Sequence, residues 1–171
     1  MTVPVLLFSL MGLGLFYLQN LVLFPQIRLR LLGLLLFYVG LRPSFSLAFS
    51  LALVLGLLQD SFATTPFGLH LGTSLLMVGM ARFCRHHLLL QKIGPQIVAS
   101  LGALTLQEMG SLLILMLLGF QPFTISDLVT FRGLEILATA ALGPLMYALV
   151  MGLEKFLRRY GWRPRRSLAP E

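Results

Sequence analysis

Residues 44–83 read SFSLAFSLALVLGLLQDSFATTPFGLHLGTSLLMVGMARF. One apolar run ends at Asp60, a more polar stretch follows through Pro66, and a second apolar run opens at Phe67. Neither run shows the apolar–polar alternation of a transmembrane barrel strand, which persists over about 10 residues. Both are continuous, as are Leu31–Leu36 and Leu112–Leu118 elsewhere in the chain. Such runs read as helices surrounded by lipid, because a bilayer admits only segments whose backbone groups are all satisfied internally.

The composition extends that reading to the whole chain. Of 171 residues, 57% are hydrophobic and only 11% charged, and the mean hydropathy is +0.90. Soluble domains carry about 25% charged residues, so a water-soluble fold has too little polar surface here. The expected fold is all-α, a polytopic transmembrane helical bundle with short loops. Candidate helices cover 3–24, 27–42, 44–59, 67–83, 95–118 and 131–153. Six spans are preferred and five are possible. Residues 1–153 form the expected transmembrane domain, and 154–171 a basic tail expected to be disordered. Thr2–Phe24 lacks a basic leading segment and ends in Leu23-Phe24-Pro25, so it reads as an uncleaved first helix.

The net charge of +7 sits in short loops beside apolar runs. There it orients the chain in a membrane rather than recruiting nucleic acid. With six spans and both termini inside, Arg28, Arg30 and Arg132 are the basic residues left outside; with five, Arg132 alone is. Charge therefore favours five. The uncharged run Leu31–Leu41 favours six, with a short second helix whose arginines reach out to the headgroups. Both arrangements place Asp60 away from the cytoplasm and the C-terminus in it.

Helical periodicity separates the faces. Gln96, Ser100, Ala103, Gln107, Gly110 and Ser111 form one stripe of the fifth helix, expected to face protein rather than lipid. Glu108 lies at its edge, where a carboxyl group is costly unless paired or protonated. In the fourth helix His70, Thr73, Ser74, Met77 and Ala81 share one face, and Gly68, Gly72 and Gly79 the opposite one. The sixth carries Gly133, Ala140, Pro144 and Ala148, with a kink expected at Pro144. Gly68, Gly72, Gly79, Gly133, Ala140 and Pro144 are thus candidate helix-packing positions, within the bundle or against another subunit. His70, Gln107 and Glu108 are the candidate intramembrane polar residues.

No catalytic constellation is legible. His86 and His87 are adjacent and cannot share a helix face as zinc ligands do. Cys84 is the single cysteine, so no internal disulfide forms. No GxSxG, P-loop or GxGxxG stretch occurs. No enzyme activity, metal or cofactor is expected.

The most specific local feature is Gly56, Asp60 and Gly68 around the turn. Gly56 allows close packing near the helix end. Asp60 can accept hydrogen bonds from loop N–H groups or cap the next helix. Pro66 can begin that helix, and Gly68 is expected to let the two helices touch. At this spacing the chain resembles the MreD family, which carries Gly-x-x-x-Asp followed by glycine eight residues after the aspartate. The residue-level likeness covers about residues 56–80, and the hydropathy likeness the whole chain. Thr64 stands where such families often have a loop glycine.

The resemblance implies a bacterial inner-membrane scaffold of cell-wall elongation. Its implied partners are an MreC-like membrane-anchored periplasmic protein and other elongation-complex membrane proteins, with links to the actin-like MreB filament and peptidoglycan synthesis. The family also looks distantly like the substrate-binding subunits of energy-coupling-factor vitamin transporters. A binder of that kind needs an outward polar pocket, which His70, Gln107, Glu108 and the Asp60 loop would line. A filled interior at that level favours the scaffold. An enzyme acting on lipid-linked substrates needs a cluster of titratable groups that this chain lacks.

Overall fold

A computed structural model describes residues 2–22, 29–42, 44–63, 66–85, 93–119 and 125–159. Among these the chain forms α1 (Thr2–Tyr17), a π-helical turn (Leu18–Val22), α2 (Leu31–Gly40), α3 (Phe45–Phe62), α4 (Leu69–Cys84), α5 (Ile93–Leu117), α6 (Ile125–Ala141) and α7 (Gly143–Arg159).

The organising element is α2. All ten of its residues are buried, because α1, α3, α4, α5 and α7 pack around it. A helix apolar on every side suits such a central position, which explains why Leu31–Leu36 carries no polar face. Tyr38 supplies the polar exception: its hydroxyl lies 2.7 Å from Ser100 Oγ and donates to the Gln96 carbonyl at 3.3 Å. Gln96, Ser100 and Ala103 are buried, so this end of the small and polar stripe of α5 turns inward.

Of the six spans expected, three or four are shown as candidates among the described residues. Among these residues, three helical stretches are long and apolar enough to cross a membrane: Val3–Asn20, Phe45–Phe62 and Gly94–Leu117. The α6–α7 pair makes a fourth if its two halves are taken as one broken span. The shortfall falls on α2 and α4. At 1.5 Å per residue they rise about 15 and 24 Å, against a hydrocarbon core of about 30 Å.

Other boundaries also move: α6 begins at Ile125, six residues before the expected 131. The expected sixth helix is broken at Leu142, where α6 and α7 meet at 43°. Pro144 is the physical cause: it lacks an N–H, and its ring clashes with the carbonyl four residues back, that of Ala140. The chain therefore restarts, with Pro144 in the first turn of α7. Gly143 lets the restart lie against α2 and α5, since a Cβ there would come within 3.0 Å of the Tyr38 hydroxyl. At the other end, α7 continues to Arg159, six residues into the segment expected as a tail. Residues 160–171 lie outside the described residues.

Antiparallel α3 and α4 define two ends of the bundle. Asp60 marks one. Arg42, just before α3, marks the other, about 27 Å away along an 18-residue helix.

Candidate functional site

Asp60 is built into the turn between α3 and α4. It occupies the last turn of α3 and is only 5% exposed. Its Oδ2 accepts the backbone N–H groups of Gly68 at 3.0 Å and Leu71 at 3.1 Å, and its Oδ1 accepts that of His70 at 2.8 Å. The first amides of a helix have no partner in their own helix and carry partial positive charge. A carboxylate from the preceding helix satisfies them here, because the residue at the cap position of α4 is Gly68 and has no side chain to offer.

The two glycines serve different ends. Gly68 adopts φ +96°, a left-handed conformation that costs other residues about 1–2 kcal/mol. A Cβ on Gly68 would meet nothing within 4 Å, so the expectation that it lets the helices touch is corrected. That part belongs to Gly56, where a Cβ would lie 2.8 Å from Leu71 Cα. Gly56 sets the approach of α3 to α4, Gly68 sets the chain direction, and Asp60 ties the two helices together.

A second polar centre lies deeper. Glu108 is buried on α5 and forms an ion pair with Arg30, at the start of α2. Its position is about 14 Å from the Leu117 end of α5, at 1.5 Å per residue. The Arg30 backbone N–H donates to Thr139 Oγ1 at 3.3 Å, which in turn donates to the Glu135 carbonyl at 2.6 Å. Gln107 presses on Gly33, where a Cβ would collide with its side-chain amide. Arg30 therefore does not reach out to headgroups as expected. It turns inward to pair with Glu108, a buried carboxylate whose charge is costly to bury without a counter-charge. Arg28 lies outside the described residues.

The opposite end holds a third cluster. Glu154 on α7 is buried and pairs with Arg42 at 2.9 Å and Arg158 at 2.6 Å. The Arg42 guanidinium stacks over Tyr147 at 5.9 Å, and its carbonyl accepts Arg82 Nη1 at 3.3 Å. Arg82 also lies over Phe45 at 5.1 Å. Sequence reasoning missed Glu154 by assigning it to the tail. The available signal was its i,i+4 spacing to Arg158, a helical pairing distance.

A family model described as rod shape-determining protein MreD matches residues 2–157. The chain belongs to the MreD family. It is accordingly a non-enzymatic, multi-pass protein of the cytoplasmic membrane with a role in rod-shape determination. No curated protein matches the chain, and no solved structure does.

Against this MreD-family background the other candidate positions separate. His70 is half-buried; its backbone N–H is held by Asp60, and its carbonyl accepts Thr73 Oγ1 at 3.1 Å. Thr73, Ser74, Met77 and Ala81 form the buried face of α4. Of the glycines opposite them, a Cβ at Gly72 would meet Ile114 Cδ1 at 3.3 Å, whereas one at Gly79 would meet nothing within 4 Å. Gly133 is likewise open, Ala140 is buried and Pro144 is half-buried. Neither Gly79 nor Gly133 has a close neighbour among the described residues. Among the described residues no three His, Cys, Asp or Glu side chains are grouped to hold a metal. His86 and His87 lie outside those residues.

Proposed function

We propose that this chain is a scaffold of the cell-wall elongation machinery that binds an MreC-like membrane-anchored periplasmic protein and other membrane proteins of that complex. The observation that carries the reading is the internal use of its buried carboxylates. Asp60 is spent on three amides of α4, Glu108 on Arg30, and Glu154 on Arg42 and Arg158. The interior between them is filled by side chains such as Leu35, Leu51, Leu55, Met77 and Leu104, each at most 1% exposed. Such an interior suits a body that presents its outer faces to other helices better than one that encloses a polar small molecule.

The Arg42 end faces the cytoplasm. Arg42, Arg82, Arg85, Lys155, Arg158 and Arg159 gather toward that end, and basic residues are retained inside. The Asp60 turn then faces the periplasm, where a membrane-anchored partner has its soluble part. Gly79 and Gly133, open on the outside of the bundle, are the interface positions.

Affinity capture of the full chain from detergent-solubilised membranes tests the proposal. It should recover an MreC-like protein, and Gly79→Leu should reduce that recovery several-fold while leaving thermal stability in detergent unchanged. Recovery of a tightly bound vitamin without any such partner overturns the scaffold reading. Undiminished capture by Gly79→Leu removes Gly79 from the interface.

A further inference from the structure

The outer face of α7 is built for something with two chemically different ends. Leu145, Ala148, Leu149, Gly152 and Phe156 recur at helical spacing along it, and with Met11 of α1 they line an open groove of about 470 Å³. The concavity has a simple origin: Ala148 and Gly152 are small, with larger side chains on either side. A Cβ on Gly152 would meet nothing within 4 Å, so the floor is open to an occupant. Leu145 and Phe156 remain 58% and 49% exposed, which in a bilayer places the groove against lipid chains.

The same face changes character in its last turn. Arg159 follows Phe156 by three residues, and Lys155 follows Gly152 by three, so both project near the groove line one turn further on. Both are exposed. Their neighbour Arg158 is engaged by Glu154, which lies on the opposite, buried side of α7 and also holds Arg42. Neither Lys155 nor Arg159 has an anionic partner among the described residues. A groove that is apolar along its length and cationic at its end complements an amphiphile with an apolar chain and an anionic head.

We propose that the α1–α7 groove binds one anionic phospholipid, with an acyl chain along Ala148 and Gly152 and the phosphate against Lys155 and Arg159. This rests on the membrane setting of the chain but not on which protein it binds. Two basic contacts of the kind made at a membrane surface correspond to roughly a thirtyfold preference over a zwitterionic lipid.

Native mass spectrometry of the full chain, stripped of lipid in detergent, tests it by titration with phosphatidylglycerol and with phosphatidylcholine of the same chains. The expected result is one phosphatidylglycerol per chain, bound about thirtyfold more tightly than phosphatidylcholine. The double variant Lys155→Gln with Arg159→Gln should abolish that preference, whereas Arg85→Gln should leave it. Gly152→Leu should weaken binding of both lipids by filling the groove. The two exposed charge variants carry the test alone if the leucine variant does not fold. Equal binding of the two lipids by the wild type overturns the proposal, as does a preference that survives the double variant. If Gly152→Leu abolishes partner capture and leaves lipid binding untouched, the groove seats a partner helix instead and the lipid proposal fails. Loss of partner capture in the wild type has no bearing on the lipid titration, so failures of the two proposals are distinguishable.

Discussion

Asp60 and Glu108 show two ways in which a carboxylate can sit inside a membrane protein. Asp60 is held by three backbone amides, and Glu108 pairs with the Arg30 guanidinium. Asp60→Ala leaves three amides at the start of α4 without an acceptor. It should destabilise the protein by about 2 kcal/mol, the upper range for losing a helix cap, read as a lowered midpoint of thermal unfolding in detergent. Asp60→Asn should recover part of that loss, since an amide oxygen still accepts. Equal stability of Asp60→Ala and the wild type would show that the turn does not depend on the cap. Glu108→Leu strands the Arg30 charge and should cost about 3 kcal/mol or more by the same measurement, and adding Arg30→Met should restore most of it. If the double variant is as unstable as the single one, the two residues are not coupled. The part Asp60 plays was legible because one residue ends an apolar run and its partners follow within a few positions. The Arg30–Glu108 pair was not legible, because its members lie on helices that meet only through the tertiary fold. By charge alone Arg30 belonged with Arg28 at a membrane surface.

Helix packing draws the same distinction among glycines. Gly56 and Gly79 look equivalent as letters in apolar runs, yet a Cβ at Gly56 strikes the backbone of Leu71 and one at Gly79 meets empty space. Gly56→Leu should therefore push α3 from α4 and cost about 1–3 kcal/mol, as overpacking of an ordered core does. Gly79→Leu should leave the unfolding midpoint within error. A stable Gly56→Leu protein would contradict the close approach of the two helices. Hydropathy read α6 and α7 as one helix starting at 131 but located the first five helical segments to within a few residues at most boundaries, because burial in lipid or in other helices leaves the same apolar signature. That is also why it misjudged their roles. It cannot tell a ten-residue helix enclosed by protein, as α2 is, from one that meets lipid, nor place a break at Leu142 when the proline responsible stands two residues later.

In the whole molecule these pieces form a bundle around α2 with a capped turn at one end and an arginine-rich cluster at the other. The family likeness was legible in Gly56, Asp60 and Gly68, and the family match over residues 2–157 rests on far more of the chain than those three positions. Glu154 and the last turns of α7 were assigned to the tail because their charges resemble those of Arg163–Arg166. Only the fold brings Arg42 against Glu154 and makes that turn part of the body. The account as a whole requires the Asp60 turn and the end of α7 to lie on opposite sides of a membrane. Labelling with a membrane-impermeant maleimide in a Cys84→Ser background tests this most directly. Ser61→Cys should label in intact spheroplasts, and Lys155→Cys only after permeabilisation. Labelling of both positions from the same side would contradict the account.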